Sequence, residues 1–405
     1  MSFRVPHWYT VGIKGYGLAL RLAARWVPKA QLWTAGRENW RKRYKEQLQG
    51  IHKPIWFHCA SLGEFEQGRP VIEVLQAKRP NTPIVLTFFS PSGFEVRKNY
   101  NGTDAVLYLP LDTPANARDF IELVNPSAAV FVKYEHWLHL QSALDERSIP
   151  RFLISARLRR DQIFFRPYGK VFRDALSHFE RIFVQDAASL DAALSLEITE
   201  VEVAGDTRFD RVVQIVEAAK RDEKLDRWKP DGKVLVLGSS WPAEEAIAQQ
   251  YWKGPLIIAP HEIHEDHLRD IEKRFPEAER YTSTDDLTSR VLLIDTMGML
   301  AKLYRYGDAA LIGGGFGKGL HNTLEAAAWG LPVFIGPNHE KFIEAKELLQ
   351  AGAGVSMKSE NDWAAIPNPE EWGTLGARAS EYVRAKTGAT NKIVDHLLRI
   401  VDRRG

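Results

Sequence analysis

Ile312-Gly313-Gly314-Gly315-Phe316-Gly317-Lys318-Gly319-Leu320-His321-Asn322-Thr323-Leu324-Glu325 is the densest chemical signal in this chain of 405 residues. The stretch leaves a short apolar run at 309–313 and enters a segment with helical spacing. Five glycines in seven positions, 313 to 319, let backbone N–H groups approach an anion without Cβ obstruction. The helix start behind them adds the positive end of its dipole. Gly313, Gly314, Gly315, Lys318, His321, Asn322 and Thr323 are therefore candidates to hold a nucleotide phosphate. Glu325, one turn into the helix, can accept from ribose hydroxyls. A tight structural turn is the plainer alternative for the same glycines. The spacing is not GxxxxGK[ST], which argues against ATP hydrolysis of that type. A Rossmann dehydrogenase carries its glycines in its first βα unit, whereas these come late in the chain.

Outward from this loop the pattern is strand, loop and helix, repeated. Apolar runs at 55–60, 84–89, 105–109, 128–132, 151–154, 181–184 and 201–204 read as buried parallel strands. After a polar stretch at 220–232 a second series runs 233–238, 255–259, 291–295, 309–313 and 332–335. This alternation predicts an α/β protein of two Rossmann-like, doubly wound parallel-sheet domains facing a central cleft. The boundary is expected near 208–212, giving an N-terminal domain over 1–208 and a C-terminal one over 209–405. An amphipathic last helix at about 379–401 is expected to pack back across that boundary.

Other loops at strand ends extend the candidate site. Ser239 and Ser240 precede a helix beginning near Pro242, and Pro260-His261 ends the next strand. Small residues there make further anion cradles. Met297 and Gly298, in Asp295-Thr296-Met297-Gly298, could pack under a base. In the first domain Glu64 follows the 55–60 strand within Ser61-Leu62-Gly63-Glu64, where a carboxylate can serve as general base. A solvated glutamate at a helix start explains it equally well. Glu135 follows another strand of the same sheet, and Arg157 a third, where it could meet an acceptor phosphate or be an ordinary surface arginine. The histidines lack HExxH spacing and Cys59 is the sole cysteine, so neither a zinc site nor an intrachain disulfide is expected.

The overall formal charge is +2, which gives no nucleic-acid signal. Its distribution is uneven. Residues 1–50 hold ten Lys/Arg and two acids, a net +8 set against −6 for the remainder. Trp8, Tyr9, Val11, Ile13, Tyr16, Leu18, Leu20, Leu22 and Trp26 alternate there with Lys14, Arg21 and Arg25. Interruption by charge argues against a signal peptide and makes a poor bilayer-spanning helix, which needs ~20 apolar residues. What fits is a helix lying on an anionic membrane surface, or one packed on its own domain.

Taken in order, these motifs resemble the Kdo (3-deoxy-D-manno-octulosonic acid) transferases, which have the GT-B glycosyltransferase fold. Ser61-Leu62-Gly63-Glu64 resembles the family's S-V-G-E, and Ser90-Pro91-Ser92-Gly93 its T-P-T-G. Glu135 and Trp137 match E-x-W, Ser155-Ala156-Arg157-Leu158 resembles N-A-R-L, and Gly205 to Asp210 resembles G-N-x-K-F-D. Asp295 to Gly298 matches D-T-M-G, His321 to Glu325 matches H-N-x-L-E, and Leu331-Pro332-Val333 with Gly336-Pro337 resembles the segment that follows. Met299 stands where Glu is usual, Ser155 and Asp206 replace Asn, Arg159 replaces Ser, and no Arg follows Pro260. The resemblance implies CMP-Kdo as donor, a lipid A precursor as acceptor, inverting transfer with Glu64 as base, and no metal or other cofactor. It implies Ser92, Gly93, Glu135 and Arg157 on the acceptor, and a peripheral or monotopic place on the cytoplasmic face of the inner membrane, through residues 1–50. Alternatives are another nucleotide-sugar GT-B transferase or an epimerase, or a non-catalytic nucleotide-binding protein at the membrane, which would have no need of Glu64.

Overall fold

Runs of β-branched and aromatic residues between polar turns fold as strands buried on both faces, the pattern that parallel sheets require. The structure, a computed structural model, describes residues 3–133, 136–228, 230–317 and 319–404. It divides into two compact units. One comprises Met1–Arg211 with Thr387–Gly405, the other Val212–Lys386.

The first unit holds β1 (Ile55–Cys59), β2 (Ile84–Phe88), β3 (Ala105–Tyr108), β4 (Ala128–Val132), β5 (Arg151–Ala156), β6 (Arg181–Val184) and β7 (Val201–Val203). They form one parallel sheet in the order β3-β2-β1-β4-β5-β6-β7. Side chains alternate between its faces. Ile55, Phe57 and Cys59 join one core while Trp56 joins the other. The second unit holds β8 (Leu235–Ser240), β9 (Leu256–Pro260), β10 (Glu279–Arg280), β11 (Val291–Leu293), β12 (Ala309–Ile312), β13 (Val333–Ile335) and β14 (Gly354–Ser356). Their order is β10-β11-β9-β8-β12-β13-β14, again all parallel. The first sheet's winding reverses between β1 and β4, and in the second the strands that start the sheet, β8 and β9, part from the later series at the junction of β8 and β12. Loops at the carboxyl ends of the strands flanking a reversal diverge to opposite faces and leave a crevice for ligand.

The end of the chain departs from expectation. One helix at 379–401 is instead two, Trp372–Ala385 and Ala389–Arg404, broken around Gly388 at φ +109°. A backbone angle in the left-handed region ends a helix and suits glycine. The second of these helices belongs to the first unit, so the expected C-terminal domain over 209–405 loses its last nineteen residues. Ile393, Val394 and Leu397 are fully buried against the sheet core around Ile55, Phe57 and Phe65. Asp210 anchors this helix. Its carboxylate accepts from Gly388 N–H at 2.6 Å, from Thr390 N–H at 2.8 Å and from the Thr390 hydroxyl at 2.7 Å. The closing Asp of the Gly205–Asp210 motif is thus a helix cap supplied from across the sequence.

The N-terminal helix His7–Ala23 packs one face on its own unit and leaves another exposed. Tyr9 and Gly17 are buried, and the Tyr9 hydroxyl donates to Asp112 at 2.6 Å. Asp112 also accepts from His139 N–H at 3.0 Å and Leu140 N–H at 2.9 Å, capping the helix Leu138–Glu146. The opposite face is bare, with Trp8 57% and Leu18 60% exposed, and Trp26 just beyond it at 75%. Among the described residues no helix is long and apolar enough to cross a membrane.

Candidate functional site

The first cluster lies where the first sheet reverses. Ser61 begins the helix Leu62–Lys78 directly after β1, and its N–H donates to Glu64 Oε2 at 3.0 Å. That contact ties the carboxylate to the helix start, where the dipole favours a negative charge. The next loop is stitched to it, with Ser90 N–H donating to Ala60 O at 2.8 Å. Gly93 lies so close to the start of the Glu64 helix that a Cβ would stand 3.1 Å from Leu62 N and 2.4 Å from the Phe88 ring. Ser92 beside it is exposed, its hydroxyl 2.8 Å from that of Ser90. Arg157 follows β5 on the same edge of the sheet and is half-buried; among the described residues its guanidinium has no hydrogen-bond or ion-pair partner. Glu135 lies outside the described residues. Its neighbour Trp137 donates its indole N–H to His58 Nε2 at 3.1 Å, and His58 Nδ1 meets the Thr87 hydroxyl at 2.8 Å. An indole N–H can only donate. His58 therefore carries its proton on Nδ1, and the loop after β4 is pinned to β1.

The second cluster lies where the second sheet reverses. The loops after β8, β9 and β12 converge on two histidines. His261 N–H donates to Ser240 O at 3.0 Å. His261 and His321 stack at 4.2 Å between ring centres, and Trp241 stacks on His261 at 4.9 Å. The Trp241 indole N–H donates to His321 Nε2 at 3.0 Å, so His321 is neutral with its proton on Nδ1. Burial, with His261 alongside, pushes its pKa below the usual histidine value. Asn322 donates to Glu325 Oε1 at 2.9 Å and accepts from Leu324 N–H at 3.1 Å. Thr323 is buried, and among the described residues its hydroxyl has no partner. Ser239 takes a left-handed φ of +52° at the end of β8. Beyond β11, Gly298 has φ +82° with open space around it, and Met297 is 69% exposed. Lys318 lies outside the described residues.

The glycine run works differently from a simple phosphate cradle. A Cβ on Gly313 would stand 1.9 Å from Ser239 O, one on Gly314 2.1 Å from Gly319 O, and one on Gly315 2.5 Å from Gly336 N. Close backbone approach therefore already demands these glycines. Several of the loop's amides are also spent inside the protein. Gly317 and Gly319 N–H donate to Gly314 O at 3.1 and 3.2 Å, and His321 N–H to Gly313 O at 3.1 Å. Gly314 N–H donates to Glu244 Oε1 at 2.9 Å.

Glu244 and Glu245 are the residues that sequence reasoning passed over. Both are buried at the start of the helix Pro242–Tyr251. Glu245 accepts from the Ser240 hydroxyl at 3.0 Å and faces His267 Nε2 at 3.1 Å. Glu244 holds the same topological place as Glu64, third residue of the helix after the first strand of its sheet. The available signal was the repeat of x-x-x-Glu after a strand. Trp241 hid it by standing where Ser61 stands in the first unit.

In the first unit, Lys14, Arg21, Lys42, Trp33, Leu18 and Asn116 are among the residues lining a pocket of about 990 Å³ below the bare face of the N-terminal helix. Arg37 forms part of its wall. Its guanidinium donates to the carbonyls of Leu109, Trp33 and Phe89 at 2.8–3.0 Å, and burial pushes its pKa down to about 9. Among the described residues no group of three or more His, Cys, Asp or Glu could hold a metal ion.

Residues 38–211 match the family described as 3-deoxy-D-manno-octulosonic-acid transferase (kdotransferase). The chain is 29% identical over 331 residues to the 3-deoxy-D-manno-octulosonic acid transferase of Aquifex aeolicus, spanning 78% of this chain and 86% of that protein. To the protein of that description from Haemophilus influenzae it is 27% identical over 375 residues, spanning 86% and 87%. Its structure is similar to that of Acinetobacter baumannii MurG, with a TM-score of 0.55 and 12% identity over 86% of this chain and 100% of that one. Likeness at such low identity speaks for the fold alone, and the fold is the GT-B arrangement of two Rossmann-like units.

Proposed function

We propose, from the premise that this chain is a glycosyltransferase of the Kdo transferase family, that it moves Kdo from CMP-Kdo to a phosphorylated lipid A precursor at a membrane surface. The observation that carries the proposal is the position of Glu64. A half-buried carboxylate stands at the reversal point of the first sheet, held by the Ser61 N–H. In this reading a hydroxyl of the acceptor attacks the anomeric carbon of Kdo as its proton passes to Glu64. The bond from that carbon to the phosphate oxygen breaks with inversion, and CMP leaves. Arg157, without a partner of its own among the described residues, supplies charge for an acceptor phosphate. Ser92, Gly93 and Glu135 complete the acceptor side.

On the donor side, Ser239, Ser240, Pro260, His261, His321 and Asn322 contact the nucleotide. Glu325 takes the ribose, and Met297 and Gly298 lie under the base. The buried Thr323 hydroxyl, unpaired among the described residues, is a candidate donor to the ligand. Gly313, Gly314 and Gly315 give that surface its shape, and Lys318 adds charge. No cofactor and no nucleic acid enters the reaction. The bare face of Trp8, Leu18 and Trp26, beside Lys14, Arg21 and Lys42, suits a surface of anionic lipid on the cytoplasmic side of the inner membrane.

The test is to incubate the pure protein with CMP-Kdo and lipid A precursor, then measure CMP release and product mass. The expected product is heavier by whole Kdo units. Glu64→Gln keeps an acceptor for the Ser61 N–H but cannot take a proton. Its kcat should fall on the order of 10²–10⁴-fold with CMP affinity unchanged. Turnover near that of the wild type would remove Glu64 from the mechanism.

A further inference from the structure

We infer that Glu244 is a positioning residue of the donor site: its carboxylate is a built-in anion beneath the glycine-rich loop, holding it in the shape that presents His321, Asn322 and Glu325. The donor phosphate is then bound by those outward groups and not by the amides of Gly314 and Phe316. The inference rests on reading this loop as the donor site.

Glu244 is 1% exposed. One carboxylate oxygen accepts from Gly314 N–H at 2.9 Å and the other from Trp241 N–H at 3.1 Å. The Phe316 N–H also bonds to it. Among the described residues no Lys, Arg or His pairs with it. Its negative charge is met by backbone donors alone, the arrangement by which loops and helix starts hold a phosphate. Burial pushes its pKa up while these amides pull it down. A phosphate brought to Gly314 and Phe316 would displace or face this carboxylate. Three further amides of the loop are closed too, those of Gly317, Gly319 and His321, bonded to carbonyls of Gly313 and Gly314. The chemistry also explains why a carboxylate is required. Two backbone N–H groups point at two separate oxygens. Glutamine offers one acceptor and one amide, and so sets N–H against N–H.

Glu244→Ala leaves a hole lined by unmet N–H groups, of a size and charge that formate can fill. Affinity for CMP by calorimetry, and amide exchange at Gly314 and Phe316, are measured with formate and with chloride at equal ionic strength. The expected result is CMP binding at least tenfold weaker and amide protection lost, both restored saturably by formate and not by chloride. KM for the donor should rise while kcat changes less. Unchanged CMP affinity in the variant, or affinity that increases because phosphate enters the vacated hole, would overturn the inference. Failure of formate to restore protection would also overturn it, and that readout needs no nucleotide. Should the wild type itself not bind CMP, the donor reading fails, while exchange at Gly314 and Phe316 still decides whether Glu244 holds the loop. If the alanine variant does not fold, Glu244→Gln serves. It should lose protection at one or more of its backbone donors, Gly314, Trp241 and Phe316, and protection intact at all three would refute the role.

Discussion

Asp112 and His139 sit side by side under the N-terminal helix and titrate with opposite consequences. Burial pushes the Asp112 carboxyl up to about 6 against the pull of Tyr9 and two backbone amides. Its folded value is above its unfolded value of 3.8. The stability it contributes is therefore fully present below about pH 4 and is lost as pH rises through about 6. Burial pushes His139 down to about 4 from 6.5. The folded state then resists a proton that the unfolded chain accepts, so its contribution is present above 6.5 and lost as pH falls toward 4. Thermal melts across this window test both signs. The margin of the wild type over Asp112→Asn should shrink from pH 4 to 6, and its margin over His139→Gln should grow. A margin that stays flat for either variant would mean that group does not change its protonation on unfolding. At this scale the sequence was only partly readable. Glu64 follows a serine by three residues after an apolar run, a recognisable helix start. Asp112, Asp210 and Glu244 cap elements or loops far along the chain, and no local pattern announces a partner that folding supplies.

Among the elements, the N-terminal helix divides into a packed face and a bare one. Trp8, Val11, Leu18 and Leu22 recur at helical spacing on the bare face, and Tyr9 and Gly17 on the packed one. A Cβ at Gly17 would stand 2.5 Å from Leu111, so this face is fitted to its own unit. The two faces should separate by mutation. Leu18→Ala and Trp26→Ala should each weaken binding to anionic vesicles about tenfold, the scale of losing one inserted side chain at ~1.5 kcal/mol, without moving Tm. Tyr9→Phe takes a donor from a buried carboxylate. It should cost about 1–3 kcal/mol of stability and leave vesicle binding as it was. Flotation assays and melts on the three variants check this, and a vesicle defect confined to Tyr9→Phe would invert the assignment. The sequence showed the amphipathic mixture but not the split, because a helix in the headgroup plane and a helix on a protein core need the same spacing. It also merged the last two helices, since Gly388 alone is a weak signal of a break.

For the molecule as a whole, the parallel sheets were legible because strands buried on both faces are short uninterrupted apolar runs. Strands β10 and β14 escaped for the converse reason. Glu279-Arg280 and Gly354-Val355-Ser356 sit at sheet edges and carry no such run. The return of the chain to its first unit was legible in the amphipathic pattern expected to pack back across the boundary, although the expected domain bounds kept that helix in the second unit. A truncation after Lys386 would strip Ile393, Val394 and Leu397 from that core, at roughly 1.5–3 kcal/mol each. It would also leave the Asp210 carboxylate without the amides it caps. The sum, on the order of 5–9 kcal/mol, matches the whole stability of many domains. Limited proteolysis of the truncated protein should therefore digest 1–211 while sparing 212–386. Equal resistance of both would show the last helix to be dispensable.

That late helix also sets a timetable for biosynthesis. The first 211 residues leave the ribosome without the helix that completes the core on one side of their sheet. About 175 residues of the second unit must follow before it arrives, which at ~5–20 residues per second is a wait of roughly 9–35 s. Through that interval the nascent chain carries an apolar basic helix at its front and an incomplete sheet core behind it. A chaperone at the ribosome, or a bilayer that receives Trp8 and Trp26 early, would protect it. Ribosomes stalled late in the message would release a protein whose second unit is whole and whose first has never closed.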